Sequence, residues 1–242
     1  MTTPSESQRL IIPPTESGSD NAYHATRIIV SAIPGAGPAI NEFLGGVGSP
    51  LERRRLQWEK EVSCVLNRLE SQFHITPGQA LHNEAFVSFA VQASMAAVKT
   101  HQQEKLNALR NALLASGGPQ APSEDVMFQF LRYVEELTPS HLKIMTVIDQ
   151  LGRCDALEDI YVAVGKRGIK MPDRAFFRAC VEDLAARYLL NLGDVTELPE
   201  FEKGYQALVD DSEPKPLWVT SLGRQFLEFI GHTSVSDQSP SV

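Results

Sequence analysis

Cysteine is scarce in this sequence. The three present, Cys64, Cys154 and Cys180, are too few and too scattered for a disulfide framework. None sits in a C-x-x-C pair, the spacing a zinc site would use. Each stands in an apolar helical pattern, which predicts buried free thiols and fits a reducing cytoplasm. Long apolar runs are missing too. The two longest uncharged runs, residues 28–41 and 85–98, have 14 residues each. A spanning helix needs about 18 or more. The first run is also broken by Pro34 and Pro38. There is no excess of positive charge: the net charge is −8. Residues 1–121 balance at 10 basic and 10 acidic, and residues 122–242 carry 12 against 20. A binder of the phosphate backbone normally shows the opposite bias. No internal repeat of 20–50 residues appears.

What is present is an ordinary globular composition, 43% apolar and 21% charged over 242 residues. Such a chain can bury roughly 70% of its unfolded surface, so it needs no metal or disulfide to fold. The pattern predicts a mainly α protein: a helical N-terminal bundle, then a winged-helix-like C-terminal domain with a short β-hairpin. The expected divisions are a disordered lead at 1–20, a helical region at 21–119, a helix pair plus winged-helix-like domain at 120–231, and a disordered tail at 232–242.

The punctuation marks most of the elements. A short helix over 22–33 is broken by Pro34-Gly35-Ala36-Gly37-Pro38, resumes over 39–44, and is broken again by Gly45-Gly46-Val47-Gly48. The two breaks frame an apolar hairpin. Ser49-Pro50-Leu51-Glu52 carries a capping residue, a first-turn proline and a capping-box Glu. From there Leu51, Arg55, Trp58, Val62, Val65, Leu69 and Phe73 step by three or four, an amphipathic helix. Thr76-Pro77-Gly78-Gln79 repeats the capping logic. Residues 83–116 read as the longest helix, with Val91, Met95, Val98, Gln102, Leu106, Leu109 and Leu113 on one stripe. Helices also start at Ser123 and at Thr138-Pro139. The last third predicts helices at 157–164 and 173–188, a strand at 189–192, an acidic stretch to residue 216, a strand at 217–219 and a closing helix at 220–230. That is the order of a winged helix–turn–helix. Phe226 and Phe229 are expected to close its core against Phe176 or Phe177 and Leu184.

Chemical motifs are few. Gly35-Ala36-Gly37 begins like a dinucleotide fingerprint, but the sixth position is Ile40 and no strand precedes it. Residues 45–49 lack the Lys of a phosphate loop. Histidines 24, 74, 82, 101, 141 and 232 show no i,i+4 pairing, and His141 reads as a residue of a helix first turn. Ser221 is not in a G-x-S-x-G elbow. No catalytic residue, metal ligand, cofactor or small-molecule substrate is indicated, so the reading is non-enzymatic.

Two contact surfaces remain. Ile28, Ile29, Val30, Ile33, Ile40 and Phe43 form an apolar set followed by Arg53, Arg54 and Arg55. So apolar a run must be buried in the bundle, in a protein partner or second copy, or at a membrane interface with arginines facing anionic lipid. Lys166, Arg167, Lys170, Arg174 and Arg178 against Asp173 give +4 where a helix–turn–helix meets phosphates. Residues 194–213, the wing, hold seven acids and one Lys, hence −6, and would repel DNA. Protein contact or a purely structural role is therefore favoured for the unit, and DNA reading by a transcription regulator is the alternative. The location is cytoplasmic, at most peripheral to the inner membrane.

Three stretches carry a family resemblance. Residues 32–48 are Gly/Pro-punctuated and apolar. Residues 105–114 read Lys-Leu-Asn-Ala-Leu-Arg-Asn-Ala-Leu-Leu, and residues 219–227 read Val-Thr-Ser-Leu-Gly-Arg-Gln-Phe-Leu. In this order they resemble the bacterial abortive infection alpha family. The resemblance implies a role in defence against phage and brings no catalytic residues with it. The acidic wing departs from it.

Overall fold

The computed structural model describes residues 18–31, 50–154, 156–192 and 217–232, which form ten helices and two short strands. The chain is mainly helical, as its three-and-four spacing predicts. Helix α1 (Gly18–Ser31) starts inside the expected lead, and the end of the expected helix at residues 32–33 lies outside the described residues. Its inward stripe of Ala22, Ala25, Thr26, Ile29 and Val30 is buried. The Thr26 hydroxyl donates to the Ala22 carbonyl at 2.8 Å and meets Ser63 Oγ of helix α2 (Pro50–Phe73) at 2.9 Å. In α2 the apolar stripe faces inward only from Trp58 to Leu69; Leu51 and Phe73 at its ends, and Leu56, stay exposed. The Trp58 indole N–H donates to Ser94 Oγ at 2.9 Å, which satisfies its one polar atom in the core.

Helix α3 (Pro77–His82) has the predicted capping box between Thr76 and Gln79. Helix α4 (Glu84–Lys99) is capped by Asn83, and α5 (Gln103–Gly117) follows. The single helix expected over 83–116 is thus two. Thr100 leaves the helix at φ −100° and ψ 153°, and its Oγ1 accepts the Gln102 N–H at 3.1 Å. The cause is local. Four polar residues, Lys99-Thr100-His101-Gln102, interrupt the apolar face, and a Thr hydroxyl offers the backbone a bond that competes with the helix. The break lets α5 pack on α4, with Ala90, Ala93, Ala97, Ala108 and Ala112 buried.

Helices α6 (Glu124–Glu136), α7 (Pro139–Leu151), α8 (Leu157–Lys166) and α9 (Arg174–Ala186) come next. Strand β1 (Leu190–Asn191) pairs antiparallel with β2 (Trp218–Val219), Leu190 opposite Val219. Cys154 adds an isolated antiparallel bridge to Leu217, with bonds of 2.9 and 2.6 Å. Cys154 and Cys180 are buried, but Cys154 sits on this bridge and not in a helix, and Cys64 is exposed. The Cys64 expectation fails because its position on α2 falls outside the buried stripe of Val62, Val65 and Leu66.

Helix α10 (Ser221–Phe229) is capped by Thr220 and crosses close to the start of β1. A Cβ at Gly223 would collide with the Leu189 carbonyl, so the Gly of the Leu222-Gly223 pair is a packing requirement. Phe226 and Phe229 are buried as predicted, but their ring contacts are with aromatics other than Phe176 or Phe177. Phe226 meets Phe130 at 5.4 Å with tilted rings and Tyr133 edge-to-face at 5.7 Å between ring centroids. Phe229 meets Phe89 at 5.7 Å and Phe130 at 5.4 Å. Phe177 turns to Tyr161 at 5.3 Å instead. Helix α10 thereby joins the C-terminal elements to α4 and α6, and the buried side chains form one continuous core.

Candidate functional site

Of the apolar N-terminal set, Ile33, Ile40 and Phe43 lie outside the described residues. Ile28 is 58% exposed on α1, whereas Ile29 and Val30 are buried. Burial in the bundle thus accounts for part of the run. The three arginines differ. Arg53 is exposed, an Arg54 Nη1–H donates to the Val98 carbonyl at 3.2 Å, and Arg55 Nε stands 3.5 Å from Glu59. Among the described residues, no helix is long and apolar enough to cross a membrane.

The basic set of the C-terminal unit is spread over the end of α8, the following loop and the start of α9. Arg174 donates to both Glu158 carboxylate oxygens at 2.8 Å and lies over the Tyr161 ring at 5.2 Å. Arg178 Nε donates to Glu182 at 3.2 Å, and Arg167 donates to the Ala163 carbonyl at 3.3 Å. Lys166 and Lys170 are exposed and make no ion pair with the described residues. The outward face of α9 carries Ala175, Ala179, Glu182 and Ala186 beside Arg174. Just beyond it Tyr188 is 78% exposed at φ 59°, in the left-handed region that a residue with a side chain rarely adopts. Its carbonyl accepts the Thr220 hydroxyl at 2.7 Å. The helical reading to residue 188 missed this position, because no sequence pattern separates a last helical residue from a left-handed one.

Thr138, His141 and Asp183 come together like a nucleophile, a base and an orienting acid. Thr138 Oγ1 is 2.7 Å from His141 Nδ1, and His141 Nε2 is 3.4 Å from Asp183. The roles are different ones. Thr138 caps α7, and His141 Nδ1 accepts the Thr138 backbone N–H at 3.2 Å, closing a capping box. That acceptor role assigns the neutral ring's proton to Nε2, toward Asp183. Burial pushes the His141 pKa below its ordinary value. The Asp183 carboxylate opposes the shift, and the charges of Arg187 and Lys105 add to it. Burial, with a contribution from Asp183, pushes the nearby Cys180 thiol up to about 11, far from a thiolate nucleophile. Among the described residues, no group of three His, Cys, Asp or Glu side chains is placed to hold a metal ion.

A cleft of about 410 Å³ opens between α5 and α7. Asn107, Arg110 and Asn111 of α5 face it with Lys143, Thr146 and Gln150 of α7. Arg167, Ile169 and the turn after α10 complete the wall. Asn111 Nδ2 donates to the Ile230 carbonyl at 3.0 Å, and Lys143 pairs with Glu104 at 2.7 Å. Of these residues the sequence singles out only Arg167, because the facing of α5 and α7 is a tertiary arrangement that no local pattern encodes. Compared with known protein families, with curated proteins and with solved structures, the chain finds no match.

Proposed function

We propose that this chain is a non-enzymatic interaction protein of the bacterial cytoplasm, acting as an effector in defence against phage. Its C-terminal unit is a winged-helix-like fold turned to protein contact. The order of elements supports that fold: α7, the single bridge residue Cys154, α8, α9, β1, a segment acidic in sequence, β2. The phage-defence part rests on the resemblance carried by residues 105–114 and 219–227.

One observation carries the protein-contact reading. On α9, where a helix–turn–helix would meet DNA, both arginines are already held by carboxylates of the same unit, Arg174 by Glu158 and Arg178 by Glu182. The acids of residues 194–213 add repulsion. The strained, exposed Tyr188 fits a protein surface, because tyrosine supplies contact area at low conformational cost. The remaining N-terminal residues Ile33, Ile40 and Phe43, with Arg53, belong to the same proposal as a partner or membrane contact.

The alternative, a DNA-binding transcription regulator, draws on exposed Lys166 and Lys170. Phage plaque counts on cells with and without the full chain test the defence reading, with Tyr188→Gly as the contact variant. The expected result is fewer plaques with the chain, and loss of that protection in a variant that remains folded. Equal plaque counts with and without the chain would remove the defence role.

A further inference from the structure

We infer that the outer face of α2 docks on an anionic phospholipid surface. The inference rests on the N-terminal contact proposed above and commits it to one partner. Arg53, Lys60 and Arg68 are the only exposed charged residues of α2, and all three are cations. The acids of the same helix, Glu52, Glu59, Glu61 and Glu70, are all half-buried. Glu59 is engaged with Arg55, and Glu61 with Arg110. At about 100° and 1.5 Å per residue, the three cations fall within about 80° of one another along about 22 Å of helix. Arg27 is exposed on the neighbouring α1, 5.9 Å from the centre of the Tyr23 ring. None of these four cations makes an ion pair with the described residues.

The face runs against the charge of the molecule. The net charge is −8, and residues 122–242 supply all of it, so the acids that would oppose an anionic sheet are concentrated in the other half of the chain. Apolar side chains share the surface and decide between anionic partners. Tyr23 and Ile28 of α1 are 55% and 58% exposed, and Leu51 and Leu56 of α2 are 54% exposed. Leu56 lies on the same outer face, three residues beyond Arg53. A nucleic-acid backbone gives cations their phosphates but offers an exposed leucine nothing. A bilayer offers both: phosphates for the cations, and a headgroup layer that takes tyrosine and aliphatic side chains. Among the described residues no helix is long and apolar enough to cross a membrane, so the contact is a peripheral one.

The test is co-sedimentation of the full chain with vesicles of equal parts phosphatidylcholine and phosphatidylglycerol, against vesicles of phosphatidylcholine alone. The expected result is binding to the mixed vesicles that falls with salt, and little to phosphatidylcholine. Each cation beside an anionic bilayer changes affinity roughly fivefold. Arg53→Gln, Lys60→Gln and Arg68→Gln together are therefore expected to weaken binding on the order of a hundredfold, with the thermal melt retained. Lys166→Gln with Lys170→Gln, on the C-terminal unit, is expected to leave it unchanged. Equal binding to both vesicles, kept by the triple variant, would overturn the cation face and leave an apolar membrane contact standing. No binding to either vesicle would overturn both. Equal losses in the two sets of variants would also overturn the inference, as would duplex DNA bound as tightly as the mixed vesicles through the same three residues.

Discussion

His141 shows how a single residue can serve a helix end and a tertiary contact at once. Thr138-Pro139 announced the cap in the sequence, just as Thr76-Pro77 announced the other one. The contact of the ring with Asp183 on α9 was not legible, because nothing local to Thr138 encodes which helix lies opposite. Because burial lowers its pKa, the folded chain holds His141 neutral while the unfolded chain takes up a proton near pH 6.5. Its contribution to stability is therefore complete above about pH 6.5 and declines as pH falls through that value toward the folded pKa. Gln79 fills the same capping role in α3, so His141→Gln is expected to keep the cap and flatten this dependence. Chemical denaturation at pH 7.5 and 5.5 checks it; an unchanged slope in the variant would count against the account. Tyr188 is the second case. At φ 59° a glycine relaxes where a tyrosine is strained, so Tyr188→Gly is expected to stabilise the fold by about 0.5–1 kcal/mol. A lower melting temperature would show that the tyrosine is held by the fold itself.

At the level of elements, caps and apolar stripes carried most of the helices into view. What they could not show was the partner of each face. Phe226 and Phe229 were legible as buried by their spacing, but the same spacing fits Phe177 as well as Phe130. The structure chooses Phe130 because α10 crosses onto α6 and α4. Phe226→Ala is expected to cost about 3–5 kcal/mol. With Phe130→Ala it should show a coupling of at least about 0.5 kcal/mol in a double-mutant cycle, and with Phe177→Ala a smaller one. Equal coupling to both would contradict the packing described. The break at Thr100 was illegible for another reason: a Gln at position 102 continues the heptad-like count, and only the polar quartet around it tells the turn from the helix. The bridge of Cys154 to Leu217 escaped because a single paired residue leaves no alternation to read.

Across the whole molecule, one core runs from Ala22 of α1 to Ile230 beyond α10. The two halves of the chain differ in charge, and their packing joins them through Phe89, Phe130, Phe226 and Phe229. Thermal unfolding followed by far-UV dichroism and by fluorescence of Trp58 and Trp218 should therefore give coincident transitions. Separated transitions would mean that α10 does not couple the two parts. Among the described residues, α8 and α9 carry exposed positions that include Lys166, Arg174, Ala175 and Ala179. The proposed protein-contact role implies that these helices do not read duplex DNA. Titration of the full chain onto duplex DNA at two salt concentrations tests it most directly. No submicromolar binding is expected at physiological salt. Tight binding that weakens steeply with salt, and is lost on Arg174→Ala with Arg178→Ala, would contradict it.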